Sequence, residues 1–101
     1  MAKYSLSYKA LEDLSNIWEY SYEVWSESQA EKYYYMLLDT CQDLADGNLS
    51  GKPYPEISNE ILGLKIGRHI IFYRKAKSSG IEVARILHGR MDLKIRNLQL
   101  E

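Results

Sequence analysis

The sequence has few of the residues that build disulfide-linked or metal-bound folds: one cysteine, Cys41, and two histidines in 101 residues. A single cysteine excludes an internal disulfide framework and is typical of a protein of the reducing cytoplasm. With so few histidines and no paired Cys/His spacing, a structural zinc site is not expected either. The sequence therefore predicts a cytoplasmic protein without a metal or a cofactor.

The sequence also lacks a long hydrophobic run. No stretch approaches the roughly 18 apolar residues that a membrane-spanning helix needs, and the polar opening MAKYSLSYKA does not read as a signal peptide. What the chain does have is 46% hydrophobic and 12% aromatic residues, enough to bury a core and to place it outside the disordered class. We expect one domain over residues 1–101, without membrane association.

The net charge of −1 hides an uneven distribution along the chain. Residues 1–59 carry four Lys/Arg against ten Asp/Glu, whereas residues 60–101 carry nine Lys/Arg against four Asp/Glu. A basic C-terminal half can meet nucleic acid or an acidic protein surface. Alternatively, the two halves complement each other within the fold, and the sequence leaves both interpretations open.

The first half of the chain predicts a strand followed by two helices. KYSLS, residues 3–7, alternates apolar and polar side chains as a strand does, and Ser7 then stands at a helix N-cap position. Apolar residues three, four and seven apart predict a helix over roughly residues 8–25. SESQAE, residues 26–31, contains overlapping capping boxes for a second helix, and Gly47 is its expected left-handed C-cap. The connection is so short that the helices should form an antiparallel hairpin.

The second half of the chain predicts strands. GNLSGKPYPEISNE, residues 47–60, is a loop by composition because it contains two glycines and two prolines. Three later runs have strand patterns and short turns between them, as in an antiparallel meander. These runs are LGLKI (62–66), HIIFYRK (69–75) and IEVARIL (81–87). Residues 90–101 return weakly to helical spacing, which predicts a short C-terminal helix or tail.

The predicted order of elements is therefore β-αα-βββ. We expect an α+β fold in which the antiparallel helix hairpin packs on one face of a mainly antiparallel four-stranded sheet.

Four stretches of the sequence resemble the ParE-type toxins of the RelE/ParE superfamily, the toxic halves of bacterial toxin–antitoxin modules. The stretches are YSLSYKALEDLSNIWEY, QAEKYYYMLLDTCQDLA, GRHIIFYR and IEVARILHGRMD, which together span Tyr4 to Asp92. The most specific part is HIIFYR followed by ARILHGRMD.

This resemblance implies a type II toxin that a ParD-like antitoxin neutralises in a hetero-oligomer and that inhibits DNA gyrase. It implies no direct, sequence-specific binding of nucleic acid. Two alternatives stay open. RelE-like relatives are ribosome-dependent mRNA endoribonucleases, and a toxin-fold protein without toxicity can persist as an antitoxin-binding module.

Whether the chain cleaves RNA depends on its proton-transferring residues. Attack by the RNA 2′-hydroxyl needs a base, cations that stabilise the phosphorane and an acid for the leaving oxygen. The resemblance implies that RelE-like relatives use a tyrosine near the C-terminus, and residues 88–101 here contain none. His69 or His88 can in principle move a proton, and the available cations are Lys65, Arg68, Arg85 and Arg90. We therefore predict that this part of the chain is a surface that binds another molecule and contains no catalytic residues.

The predicted target-binding surface is the end of the last strand and the residues after it. Cations, a histidine and a flexible thioether suit docking on a protein surface. For Arg85 the alternative is a structural role: it shares a side of its strand with Ile81, Val83 and Leu87, and it can pair with a carboxylate such as Asp13 or Asp92. The predicted target contacts are Arg85, His88, Arg90, Met91, Lys94 and Arg96.

The predicted antitoxin-binding surface is aromatic. A helix spreads the run from Tyr33 to Tyr35 over more than half of its circumference, so one or two of these rings should form a contact surface. The alternative is that they lie on the protein's own sheet. The predicted antitoxin contacts are Trp18, Tyr22, Trp25, Tyr33, Tyr34 and Phe72.

Overall fold

The computed structural model describes residues 2–77 and 79–89 and confirms the predicted α+β class with its helix hairpin. The elements are β1 (Tyr4–Leu6), α1 (Tyr8–Val24), α2 (Glu27–Asp46), β2 (Lys52–Pro53), β3 (Leu62–Ile66), β4 (His69–Lys75) and β5 (Ile81–His88). The predicted C-terminal helix or tail, residues 90–101, lies outside the described residues.

The sheet has five strands rather than the predicted four. Their order is β1-β5-β4-β3-β2, with β1 parallel to β5 and the other neighbours antiparallel. The additional strand, Lys52–Pro53, pairs with Leu62 and Gly63 inside the segment that its composition predicted to be a loop. A proline is compatible with this position because β2 is an edge strand, where a backbone donor can be missing.

Both helices begin, and α2 ends, at the capping residues that the sequence predicts. The Ser7 Oγ accepts a hydrogen bond from the Ala10 N–H at 3.0 Å, and Ser7 also donates to the Ala84 carbonyl at 2.7 Å, which ties the start of α1 to β5. The Ser26 Oγ accepts from the Gln29 N–H at the start of α2. Gly47 ends α2 with a φ of 85°, the left-handed conformation expected of it.

The sheet carries a hydrophobic cluster on each face. The main core, between the helix pair and the sheet, contains Ala10, Leu14, Ile17, Leu37, Cys41, Leu44, Ile71, Tyr73, Ile81, Val83 and Ile86. The opposite face carries a smaller cluster of Ile61, Ile70, Phe72, Ala84 and Leu87, with the Tyr54 ring packed edge-on against Phe72. This second cluster explains why β4 is apolar almost throughout.

An irregularity between β4 and β5 changes which way the side chains of β5 point. Phe72 pairs with Arg85 and the next residue, Tyr73, pairs with Val83, so Ala84 is an extra residue, as in a β-bulge. Val83 packs in the main core, whereas Leu87 packs on the opposite face. The prediction that Ile81, Val83 and Leu87 all share one side of the strand with Arg85 is wrong, because strict alternation does not continue through the bulge, which puts Ile81 and Val83 on the face opposite to Leu87.

No helix among the described residues combines the length and the apolar character that crossing a bilayer requires.

Candidate functional site

Helix α1 has two apolar stripes, and only one of them is used by the core. Ala10, Leu14, Ile17 and Ser21, at steps of three and four, are buried against the sheet. Leu11, Ser15, Trp18 and Tyr22 follow the same steps one position further along, about 100° around the helix. This second stripe points away from the sheet, and Leu11 and Tyr22 are each about half exposed.

The second stripe of α1 and the outer side of α2 form a concave surface, which we call the hairpin groove. Its volume is about 390 Å³, and it is lined by Leu11, Leu14, Ser15, Trp18, Glu31, Tyr34 and Tyr35. The Trp18 and Tyr34 rings meet edge-to-face at 5.7 Å, and Tyr34 and Tyr35 do so at 5.5 Å. A groove with exposed aromatic walls on a small protein is typical of a binding surface.

The predicted antitoxin contacts fall into three places. Trp18 and Tyr34 line the hairpin groove, and Tyr22 extends it with its ring 6.3 Å from that of Trp18. Trp25 and Tyr33 pack edge-to-face on each other at 5.6 Å, next to the turn between β3 and β4. Phe72 does not belong to this surface, because it is fully buried on the opposite face of the sheet. The prediction that Phe72 contacts the antitoxin is therefore wrong.

A second concave surface lies where β3 ends, β4 begins and β5 ends, and we call it the strand-end pocket. It has a volume of about 440 Å³ and is lined by Tyr20, Lys65, Gly67, Arg68, His88 and Gly89. The sheet register explains the grouping, because Ile66 pairs with His69 across the turn and His69 pairs with His88. Among the predicted target contacts, His88 lines this pocket and Arg85 does not.

Beside the strand-end pocket, Tyr33 and His69 form a short hydrogen bond of 2.6 Å between the hydroxyl and Nδ1. The Tyr33 oxygen also accepts from the Arg68 backbone N–H at 3.0 Å. Burial, assisted by His88 and Arg68 and opposed by Asp13, lowers the pKa of His69 to about 4. A neutral His69 can accept the Tyr33 proton at Nδ1 or donate its own from there, and in either tautomer the bond fastens α2 to the β3–β4 turn.

Sequence reasoning missed the Tyr33–His69 contact, since the two residues are 36 positions apart and neither belongs to a local motif. Burial also raises the pKa of the Tyr33 hydroxyl. Burial likewise raises the pKa of the Cys41 thiol to about 12, which leaves it without thiolate character near neutral pH. These shifts favour structural roles over chemical ones for both groups.

Arg85 forms a two-point ion pair with Asp13 that joins β5 to α1. Its Nε and Nη2 donate to the two carboxylate oxygens at 2.9 and 3.0 Å, and the Ile86 N–H donates to the same carboxylate at 3.0 Å. The side chains are 19% and 11% exposed, and the hydrogen bond raises the pKa of Arg85. The structural alternative given for Arg85 is confirmed, with Asp13 as the partner. The predicted target contacts Arg90, Met91, Lys94 and Arg96 lie outside the described residues.

A helix hairpin packed on a mixed five-stranded sheet is a fold that a solved structure shares. The structure titled "Chromosomal ParDE TA system from P. aeruginosa" matches with a TM-score of 0.71 at 18% identity, covering 87% of this chain and 96% of that one, which shows the fold.

The family model described as "ParE toxin of type II toxin-antitoxin system, parDE" matches residues 4–93, and the chain belongs to this family. Toxin ParE1 of Mycobacterium tuberculosis is 36% identical over 97 residues, 96% of this chain and 98% of that protein. Toxin ParE1 of Caulobacter vibrioides is 33% identical over 92 residues, covering 91% and 94%.

Proposed function

We propose that this toxin is neutralised by a ParD-like antitoxin and acts by binding DNA gyrase and inhibiting it, without chemistry of its own. The observation that carries the proposal is the family match over residues 4–93, which includes both the helix pair and the sheet. The named structural neighbour is a ParDE complex, which supports an antitoxin as the first partner.

The hairpin groove is the surface on which the antitoxin docks. Antitoxin segments that fold on their target bury apolar anchors in such a groove. Nine of the ten acidic residues of the first 59 positions lie on α1 and α2, and one of them, Glu31, lines the groove. The matching antitoxin segment is therefore an amphipathic helix with apolar anchors on one face and Lys/Arg on its flanks.

The target-binding surface begins at the end of β5, where His88 is exposed. Arg85 is not proposed as a target contact, because its guanidinium is held by Asp13. Arg90, Met91, Lys94 and Arg96 stay in it as proposals from the sequence, since a fork-shaped cation and a flexible thioether suit a protein interface.

The variant Arg90→Ala tests this assignment. Gyrase binding and inhibition of supercoiling should both be lost, whereas antitoxin affinity should be retained, because the hairpin groove is a separate surface. Lys75→Ala is the matched control: it removes one exposed cation at the far end of β4 and should leave inhibition intact. A folded Arg90→Ala protein that inhibits as strongly as the unmodified one would remove this segment from the target contacts.

One observation favours a second candidate, a ribosome-dependent endoribonuclease of the RelE type. Tyr33, His69 and His88 lie together beside the cations of the strand-end pocket, and general acid–base catalysis uses such groups. However, a His69 with a pKa of about 4 is a weak base, and its Nδ1 is already bonded to the Tyr33 hydroxyl. Binding and inhibition of gyrase without catalysis is therefore the better supported function. Ribosome-dependent mRNA cleavage that is lost in His88→Gln would reverse this order.

A further inference from the structure

The strand-end pocket gathers two cationic side chains and an imidazole that the proposed gyrase inhibition does not require. Lys65 reaches it from β3, Arg68 from the β3–β4 turn and the His88 imidazole from the end of β5. We propose that this pocket is a binding site for a phosphate group. The inference goes beyond the proposed function and does not depend on it.

Arg68 is held in place by contacts with Tyr33 and Trp25. Gly67 and Arg68 form the two-residue turn between β3 and β4, with a φ of 57° at Gly67. A Cβ on Gly67 would come within 2.8 Å of the Tyr33 ring and hydroxyl, so the turn lies directly on Tyr33. The Arg68 N–H is bound to Tyr33, and its guanidinium lies 5.3 Å from the centre of the Trp25 ring. An arginine that is held at its backbone by Tyr33 and at its guanidinium by Trp25 loses less conformational entropy when it binds an anion.

The charge balance of the strand-end pocket also favours an anion. Within the described ranges no carboxylate forms an ion pair with Lys65 or Arg68. Asp13 is the acid that acts on the neighbouring His69, and its charge is offset by Arg85. The pocket therefore keeps its positive potential, and an oxyanion is the ligand that compensates it.

The donors around the strand-end pocket suit a phosphate group. A guanidinium fork, an ammonium group, an imidazole and the Tyr20 hydroxyl offer several donors around one space, which suits an anion with three or four oxygens better than a carboxylate with two. A pocket of about 440 Å³ is also larger than one phosphate needs. Tyr20, which is 59% exposed, lies at its edge and can stack on an attached nucleobase. The phosphate can thus be free or part of a nucleic acid backbone.

The test is an NMR titration of the full chain, in which the backbone amides of Gly67, Arg68 and Gly89 report on the pocket. One arm adds inorganic phosphate and the other a short single-stranded oligothymidylate, each against sodium chloride of equal ionic strength. The variants are Lys65→Gln and Arg68→Gln. The matched control is Lys75→Gln, which removes the same charge at the far end of β4.

We expect saturable shifts at these amides, with at least a tenfold weaker Kd in Lys65→Gln and Arg68→Gln and an unchanged Kd in Lys75→Gln. Saturation by inorganic phosphate indicates a site for the free group, and saturation by the oligonucleotide alone indicates a backbone phosphodiester; both support the site. If Arg68→Gln unfolds because the Trp25 contact is lost, the exposed Lys65 still decides the result. Shifts no larger than those in chloride, or equal losses in all three variants, would overturn the proposal.

Discussion

At the scale of single residues, one carboxylate holds the helix layer to the sheet. Asp13 of α1 accepts three hydrogen bonds from β5, two from the Arg85 guanidinium and one from the Ile86 N–H. Both side chains are largely shielded from water. A pair in this setting is costly to break on one side, since the remaining charge and N–H stay buried without a partner.

We therefore expect Asp13→Ala to lower the free energy of unfolding by about 3 kcal/mol, within the range for breaking a buried ion pair. Asp13→Leu combined with Arg85→Met should recover part of this loss, because no charge is then left buried, and it should still inhibit gyrase. Urea unfolding of the three proteins measures the effect. A loss of under about 1 kcal/mol in Asp13→Ala would place the pair with ordinary surface ion pairs.

The Tyr33–His69 bond predicts a pH dependence of stability. Burial holds the pKa of His69 at about 4 in the folded protein, whereas the unfolded chain has the ordinary value of 6.5. Between these values the unfolded state binds a proton that the folded state does not. The contribution of His69 to the free energy of unfolding is therefore complete above pH 6.5 and is lost as the pH falls towards 4. Below pH 4 the free energy of unfolding no longer changes on account of His69.

Because the His69 ring is partly exposed, we expect this loss to be on the order of 1 kcal/mol, less than the full pKa shift would give. Carboxylates titrate in the same range, so the quantity to measure is a difference: urea unfolding at several pH values for the unmodified protein and for His69→Asn. The variant should lack this part of the slope. Equal slopes in the two proteins would show that His69 does not contribute.

The residues that sequence alone could place are those with local partners. Ser7, Ser26 and Gly47 act within three or four positions of themselves, so their roles can be predicted from spacing. Opposite charge made Asp13 and Asp92 candidates for the partner of Arg85, but the choice required the packing of α1 on β5. The Tyr33–His69 bond depends on how α2 lies against the β3–β4 turn, which no local pattern encodes.

At the scale of elements, α1 is more apolar than its place in the core requires. One stripe is buried and the neighbouring stripe lines the hairpin groove with Trp18. The hydrophobic periodicity correctly predicted a helix, but it merged the two stripes into one face. Only the position of α2 divides them into a core side and a binding side. The edge strand β2 and the bulge at Ala84 were missed for a related reason, because pairing partners rather than composition define them.

If the hairpin groove receives the antitoxin, Trp18→Ala and Tyr34→Ala should each weaken the complex by about 2 kcal/mol, as expected of aromatic hot spots. Tyr8→Ala is the matched control, since Tyr8 is on α1, is 91% exposed and does not line the groove. Calorimetric titration with the purified antitoxin gives the affinities, and thermal unfolding checks the fold. Unchanged affinity in both groove variants would reject this surface.

At the scale of the whole molecule, the charge division along the sequence becomes a division between layers. The acidic residues lie mainly on the helix pair, and the strand-end pocket carries cations from the second half of the chain. Within the described part of the chain, the Asp13–Arg85 pair connects the two layers. The acidic helix pair and the cationic strand-end pocket are two surfaces of opposite sign that can meet different partners.

A supercoiling assay tests most directly the proposal that this toxin acts by binding gyrase and inhibiting it. Relaxed plasmid, purified gyrase and ATP are mixed with increasing amounts of the protein, with and without its antitoxin. The account predicts that supercoiled product disappears as the protein approaches and exceeds the amount of gyrase, and that an equimolar amount of antitoxin restores it. Full supercoiling in the presence of a large molar excess of folded protein would contradict the account.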